Sequence, residues 1–183
     1  DSDFMRTPVK IGIIDEGPSN DRHDDLVGQI MAGSDVSRSG IKHGQYVLGI
    51  MAAKSGNSTG IVGAAGINAQ FIYRQMTYVG GKVNSAHIAN TIREFGRMGV
   101  DAINLSIAIA GKCSRRVEGI DKCYVPISAS SIIRRAMQET ARAYGTVFVI
   151  SASNESQPIS AYSSPDEGII VVGTSTSSGQ LTD

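Results

Sequence analysis

The sequence has no tryptophan, only 5% aromatic residues, two cysteines and no net charge. Each scarcity excludes something. Seventeen basic residues against seventeen acidic ones leave no excess of either sign to draw the chain to nucleic acid or a membrane surface. No apolar run reaches the roughly 18 residues that a membrane-crossing helix needs. The opening Asp1-Ser2-Asp3 lacks the basic and then apolar pattern of a secretion signal, and reads as a mature terminus or an artificial boundary. Cys113 and Cys123, with nine residues between them, have neither His neighbours nor Cys-x-x-Cys spacing, which argues against a metal site. The pair reads as a disulfide closing a small loop, worth ~2–3 kcal/mol when formed. A disulfide implies an oxidising compartment; two free surface thiols are the alternative.

What is present fits one domain, residues 1–183, with a real core and too little length for two. Hydrophobic residues make up 41% and glycines number 21, as in a close-packed protein with many strand-to-helix turns. The stretch Lys10-Ile11-Gly12-Ile13-Ile14-Asp15-Glu16-Gly17 is a short apolar strand that stops at a carboxylate and turns on glycine. Such runs suit a strand buried on both faces of a sheet. Open α/β sheets place their chemistry at the carboxyl ends of these strands. An isolated Asp in that place reads equally as a polar residue closing a strand.

Along the chain, residues 1–7 read as a tether and Val9–Ile14 as the first strand. Gly17–Asp21 is a loop on turn chemistry, Gly28–Gly33 a short segment and Ser34–Lys42 a polar loop. A helix is expected over His43–Lys54, strands over Ala69–Met76 and Ala102–Ile107, and a turn on paired glycines over Tyr78–Val83. Ser85–Met98 is amphipathic, with Ile88, Ile92 and Phe95 on one face; Asn84 or Ser85 caps it and Gly99 stops it. Ala110–Pro126 reads as an irregular basic loop and Ser128–Tyr144 as a further helix. Thr146–Ser151 and Ile169–Thr174 are apolar strands. Strands alternating with helices imply parallel strands joined by right-handed crossovers, hence an α/β fold.

Three residues could carry chemistry: Asp15 after the first strand, His43 at a helix start, and Asn154 past the strand ending at Ser151. A carboxylate that orients an imidazole, and an imidazole that takes a proton from a nucleophile, form the acid–base half of acyl transfer. An Asn amide beside them can donate to an oxyanion. Taken singly each has a plain structural reading, His43 as a cap or surface residue. The order Asp, His, then Asn after a later strand is more specific.

On these residues the chain resembles the subtilisin-like serine proteases (subtilases). Ile13-Ile14-Asp15-Glu16-Gly17 is similar to the family's apolar-apolar-Asp-Ser/Thr-Gly motif, and His23-Asp24-Asp25-Leu26 to His-Pro-Asp-Leu. His43-Gly44-Gln45-Tyr46-Val47-Leu48-Gly49-Ile50-Met51-Ala52-Ala53 resembles His-Gly-Thr-x-Val-Ala-Gly-x-x-Ala-Ala. Gly60-Ile61-Val62-Gly63 with Ala69-Gln70 looks like the stretch before the next strand. Ile103-Asn104-Leu105-Ser106-Ile107 resembles the substrate-binding strand. Ser151-Ala152-Ser153-Asn154-Glu155 is similar to Ala-Ala-Gly-Asn-Glu, and Ile169-Ile170-Val171-Val172-Gly173 to the strand after it. The likeness runs over residues 9–183 with small gaps. It implies a three-layer, mostly parallel sheet with helices on both faces, and a serine endopeptidase acting on peptide or protein substrates. It also implies roles: Asp15 to orient the histidine, His43 as general base and Asn154 as oxyanion donor. Backbone groups of Asn104, Ser106 and Ala108 are expected to pair with an extended substrate; Ala152 and Ser153 would line the pocket before the scissile bond. Asp25 and Asn57, with carbonyls of Ser55, Thr59 and Ile61, resemble the family's calcium site, a set of hard oxygens; no catalytic cofactor is implied. Together with the cysteine pair, the family points to a secreted or periplasmic protein.

The departures matter. The family's Gly-Thr-Ser-x-Ala/Ser-x-Pro, at the head of an apolar helix, has no counterpart: Gly173-Thr174-Ser175-Thr176-Ser177 mimics the string but lacks the Pro and the helix, so Ser175 reads as loop. The fold is thus expected to stop before the serine segment, the nucleophile lying on a further C-terminal segment. Glu16 replaces Ser or Thr, Gln45 and Tyr46 place bulk near the His43 helix, and Ser153 and Ala108 replace glycines. The basic loop with Lys112, Arg115, Arg116 and Lys122 would rim the cleft, as a filter or as plain structure. Two other functions compete: a non-catalytic subtilase-like binder of peptides or a partner, and a flavodoxin-like regulatory or nucleotide-binding domain with Asp15 at the switch point. No glycine-rich phosphate loop follows the first strand, which weighs against the last.

Overall fold

A computed structural model describes residues 8–16, 23–35, 43–65, 69–111, 123–154 and 168–180. Expectations for the tether, the Gly17–Asp21 loop, most of the Ser34–Lys42 loop, Cys113, the basic residues Lys112, Arg115, Arg116 and Lys122, and Glu155 lie outside the described residues.

The chain order is β1 (Val9–Asp15), α1 (His43–Ala52), β2 (Ala69–Gln75), the short hairpin β3 (Tyr78–Val79) and β4 (Lys82–Val83), then α2 (Ser85–Arg97). After it come β5 (Ala102–Leu105), β6 (Ala108–Gly111), β7 (Cys123–Pro126), α3 (Ser131–Tyr144), β8 (Val147–Ser151) and β9 (Ile169–Val172). Five strands form one parallel sheet in the order β2-β1-β5-β8-β9. β1 sits inside it, paired on both sides, so its apolar run is buried on both faces.

Adjacent residues of β1 point to opposite faces and join different cores. Ile14 packs with Ile88, Ile92 and Phe95 of α2 and Ile133, Ala136 and Met137 of α3. Ile13 packs with Leu48 and Ala52 of α1, and with Phe71 and Tyr73. Hence α2 and α3 cover one face and α1 the other, three layers as expected. Each fully buried Ile or Phe in these clusters is worth on the order of 1.5–3 kcal/mol of transfer free energy. Gly12 makes the α2 side possible: a Cβ there would lie 2.5 Å from the Phe95 ring.

The α1 layer is narrow. On its face one row of residues crosses the sheet as Tyr73, Ile13, Asn104, Val149 and Ile170. Tyr73 and Ile13 are fully buried beneath α1, whereas Ile170 and its neighbour Val172 are 52% and 50% exposed. In the opposite row Ile103 and Phe148 have no exposure, and Ile169 at its β9 end is only partly exposed. On the α1 face Asn104 and Val149 are partly exposed, and among the described residues no helix of the core clusters lies over β9.

Several boundaries differ from expectation. α1 ends two residues early, at Ala52. The strand expected over Ala102–Ile107 stops at Leu105, and the chain re-enters extended structure as β6. Ala110–Pro126 is not wholly irregular: Ala108–Gly111 pairs antiparallel with Cys123–Pro126. The Ser128–Tyr144 helix is split, because Ser130 is extended (φ −71°, ψ 115°) between a single 3-10 turn at Ile127–Ala129 and α3. Asn84 does cap α2, its side-chain oxygen accepting from the His87 N–H at 3.1 Å.

Candidate active site

Parallel alignment brings strand ends to one edge. Asp15 closes β1 opposite Gln75 of β2, and the Met76 N–H donates to the Asp15 carbonyl at 2.9 Å. The first turn of α1 is pinned there too, the Gly44 N–H donating to the Glu16 carbonyl at 3.1 Å. Gly44 lies against the buried Tyr73 ring, leaving no room for a Cβ. This close approach fixes where His43, the first residue of α1, can stand.

His43 Nδ1 lies 2.6 Å from Asp15 Oδ1, and the same oxygen accepts from the Glu16 N–H at 2.7 Å. The carboxyl group is fully buried while the imidazole is 46% exposed. Asp15 Oδ2 is buried and has no hydrogen-bond partner among the described residues. Burial therefore dominates and lifts the Asp15 pKa to about 6, against the opposing pull of the His43 hydrogen bond and charge.

His43 opens onto a cleft of about 660 Å³ that is also lined by Glu16, Tyr78, Lys82, Ser106, Ala108 and Asn154. So the expected residues His43, Asn154, Ser106 and Ala108 share one hollow, with Asp15 behind the imidazole. Asn104 lies just beneath, its Nδ2 donating to Ser106 Oγ at 3.0 Å. Ala152 is buried, and Ser153 takes a left-handed backbone (φ 76°) with its hydroxyl donating to the Tyr124 carbonyl at 2.9 Å; neither lines the cleft. Cys123 is buried at the start of β7. Ser175 is exposed beyond β9.

Gln45 and Tyr46, expected to place bulk near the His43 helix, lie in α1 itself and line a separate surface hollow with His23, Leu26, Ile50 and Ile61, Tyr46 being 64% exposed. Tyr78 was missed by sequence reasoning: its hydroxyl donates to Glu16 Oε2 across the cleft. The signal was the alignment of β1 with β2, which carries the residues after Gln75 past the end of β1.

Of the residues named for calcium, Asn57 and Ile61 meet the Asp25 carboxylate, both as N–H donors, and the Thr59 N–H donates to Asn57 Oδ1 at 3.3 Å. Asp25 Oδ1 accepts from Asn57 Nδ2 at 2.8 Å and its Oδ2 from the Ile61 N–H at 3.1 Å, and these two bonds, Asn57 first, hold its carboxyl below the usual range. Gly60 lies against the same carboxylate, where a Cβ would collide with it.

A buried Asp at a strand end, paired to a His that heads the next helix and faces a cleft shared with an Asn, is the acid–base layout of an acyl-transfer hydrolase. The model of the subtilase family matches residues 6–183, and the chain belongs to that family. This sets aside the nucleotide-binding alternative. No curated protein sequence matches the chain. Solved structures with the same fold include the nisin leader peptidase NisP from Lactococcus lactis, with 20% identity and a TM-score of 0.67 over 96% of this chain and 58% of that one. The epidermin leader peptide processing serine protease EpiP from Staphylococcus aureus has 18% identity and a TM-score of 0.66, over 97% and 48%. The self-cleaved protease domain of PatA has 14% identity and a TM-score of 0.66, over 97% and 62%. The chain thus spans about half to three fifths of these structures.

Proposed function

We propose that the chain is the N-terminal part of a serine endopeptidase of the subtilisin type, with the nucleophilic serine on a further segment. The observation that carries this is the 2.6 Å contact between Asp15 and His43 at the mouth of the cleft lined by Asn154. With Nδ1–H donated to Asp15, the free lone pair of His43 is on Nε2, as a general base requires. In this reading His43 takes the serine proton and later gives it to the leaving amine, while Asp15 balances the imidazolium. The Asn154 amide donates to the oxyanion, a contribution of roughly 3–4 kcal/mol.

Substrate enters as an extended strand. β6 pairs only with β7 among the described strands, leaving its other edge for backbone pairing through the Asn104–Ala108 region. Ser153 stands behind the wall and is tied to it through its bond to the cleft residue Tyr124; the pocket role of Ala152 and Ser153 is proposed for the complete protein. The exposure that rises across the α1 face to Ile170 and Val172 of β9 supports a further covering segment, since parallel sheets are buried on both faces. The non-catalytic alternative draws no support from Gln45 and Tyr46, which line a hollow apart from the cleft.

The loop 55–61 is proposed as a structural calcium site: Asp25 and the Asn57 amide oxygen with carbonyls of Ser55, Thr59 and Ile61. What supports the place is that Asn57 and Ile61 both reach the Asp25 carboxylate; a bound cation would replace their N–H donors with the Asn57 amide oxygen and the Ile61 carbonyl. Calcium would brace that loop and takes no part in the chemistry. A Cys113–Cys123 bridge and a secreted or periplasmic location complete the proposal.

A fluorophosphonate probe on the complete protein, as isolated from its source, tests the catalytic reading. A label on a serine of a contiguous or co-purifying segment is expected. Absence of label on any species, with the fold intact, refutes it.

A further inference from the structure

The segment that carries Asn154 leaves β8 by a backbone turn that serine rarely makes. At the end of the strand the Ala152 N–H still donates to the Val172 carbonyl of β9, at 2.9 Å. One residue on, Ser153 is left-handed at φ 76°, a conformation that only Ser58 and Ser153 take among the described non-glycine residues. A Cβ is disfavoured there, and the family motif Ala-Ala-Gly-Asn-Glu has in this place a glycine, which is not strained. Such strain persists only where the surroundings hold it. Two bonds hold it here. The Ser153 N–H donates to Ser151 Oγ at 3.0 Å, and the Ser153 hydroxyl donates to the Tyr124 carbonyl at 2.9 Å. The first bond is local to the turn. The second runs from the end of the five-stranded sheet to β7, which belongs to the separate β6–β7 hairpin. The next residue, Asn154, is exposed in the cleft, and Tyr124 lines the cleft too.

We propose that Ser153 is a positioning residue for Asn154: the bond from its hydroxyl to the Tyr124 carbonyl holds the left-handed turn, and thereby fixes where the Asn154 amide stands in the cleft. This rests on the protease reading, in which that amide donates to the oxyanion. Such a donor must be placed to within roughly 0.5 Å. Asn154 follows its strand rather than lying in it, so its place depends on what holds the turn. Glycine would leave the turn unstrained but free to adopt other conformations. Serine exchanges that freedom for an anchor on the hairpin, and the donor and the wall that carries Tyr124 keep one spacing.

The test uses the complete protein and one cleaved peptide, with kcat and KM measured for Ser153→Ala, Asn154→Gly and the double variant. Asn154→Gly deletes the amide and should lower kcat on the order of a hundredfold or more. Ser153→Ala keeps the disfavoured Cβ but loses the anchor; it should lower kcat about tenfold, part of what a misplaced group costs, with KM within about twofold of native. In the Asn154→Gly background the same Ser153→Ala change should cost nothing further in kcat, since the donor it places is gone. Ser153→Gly, unstrained in this turn, should lose only about threefold. An unchanged kcat in Ser153→Ala or in Asn154→Gly, a loss confined to KM, or a loss that persists without the Asn154 amide overturns the assignment and leaves the protease reading standing. A native protein that cleaves no peptide and takes no fluorophosphonate label sinks both. Should Ser153→Ala not fold, Ser153→Gly replaces it in the same cycle, and a kcat equal to native, or a loss that persists in the Asn154→Gly background, overturns the proposal.

Discussion

The buried Asp15 gives the most informative perturbation. Its pKa is about 6 in the fold and 3.8 in the reference state, so the folded protein holds this proton more tightly than the unfolded chain does. Below about pH 4 the group is neutral in both states and contributes no penalty. As pH rises through 6 the folded state must bury a carboxylate, and stability is lost. The gap of about two units corresponds to about 3 kcal/mol, fully felt above about pH 7. Asp15→Asn removes the charge while keeping an oxygen for His43 and the Glu16 N–H. The expected result is that the variant gains on the native protein by on the order of 3 kcal/mol between pH 4 and pH 8, read from urea denaturation midpoints at several pH values. Asp25 and Glu139, whose carboxyl groups are held low by Asn57 and Arg135 respectively, lose stability on acidification in both proteins, so the difference isolates position 15. A variant that is instead less stable at pH 8 than at pH 4, relative to native, would mean that the His43 contact outweighs burial and would refute the reasoning.

Two further perturbations follow. Gly12→Ala drives a Cβ into the fully buried Phe95 ring, and should cost about 1–3 kcal/mol by overpacking, visible as a lowered denaturation midpoint with an unchanged slope. Chelation with EDTA should lower Tm, and calcium added back should restore it, if the 55–61 loop holds a cation on Asp25; a Tm indifferent to both removes calcium from the proposal.

The sheet was legible because its signals are local. β1, β5 and β8 are apolar runs ended by turn residues, and α2 carries its apolar stripe and its Asn84 cap in one stretch. The meeting of Asp15 with His43 was legible only through the order of motifs, since no local rule joins residues 28 apart. What stayed hidden depended on pairing at a distance. β6 and β7 are short and flank the polar cysteine segment, so neither shows a period, and the hairpin exists through the ladder between them. Ser130 breaks a helical pattern that its neighbours continue on both sides. Tyr78 reaches Glu16 because two strands lie side by side, a fact that the spacing of 62 residues does not contain.

Exposure that climbs across one row of the sheet, from Tyr73 to Ile170, has a practical side. β9 ends the described sheet with one flank unpaired and with greasy side chains toward solvent, a combination that invites strands from neighbouring molecules to add on. Purified without the covering segment proposed above, the polypeptide should clump as its concentration rises. Its solubility with and without that segment is thus a direct readout of the proposal.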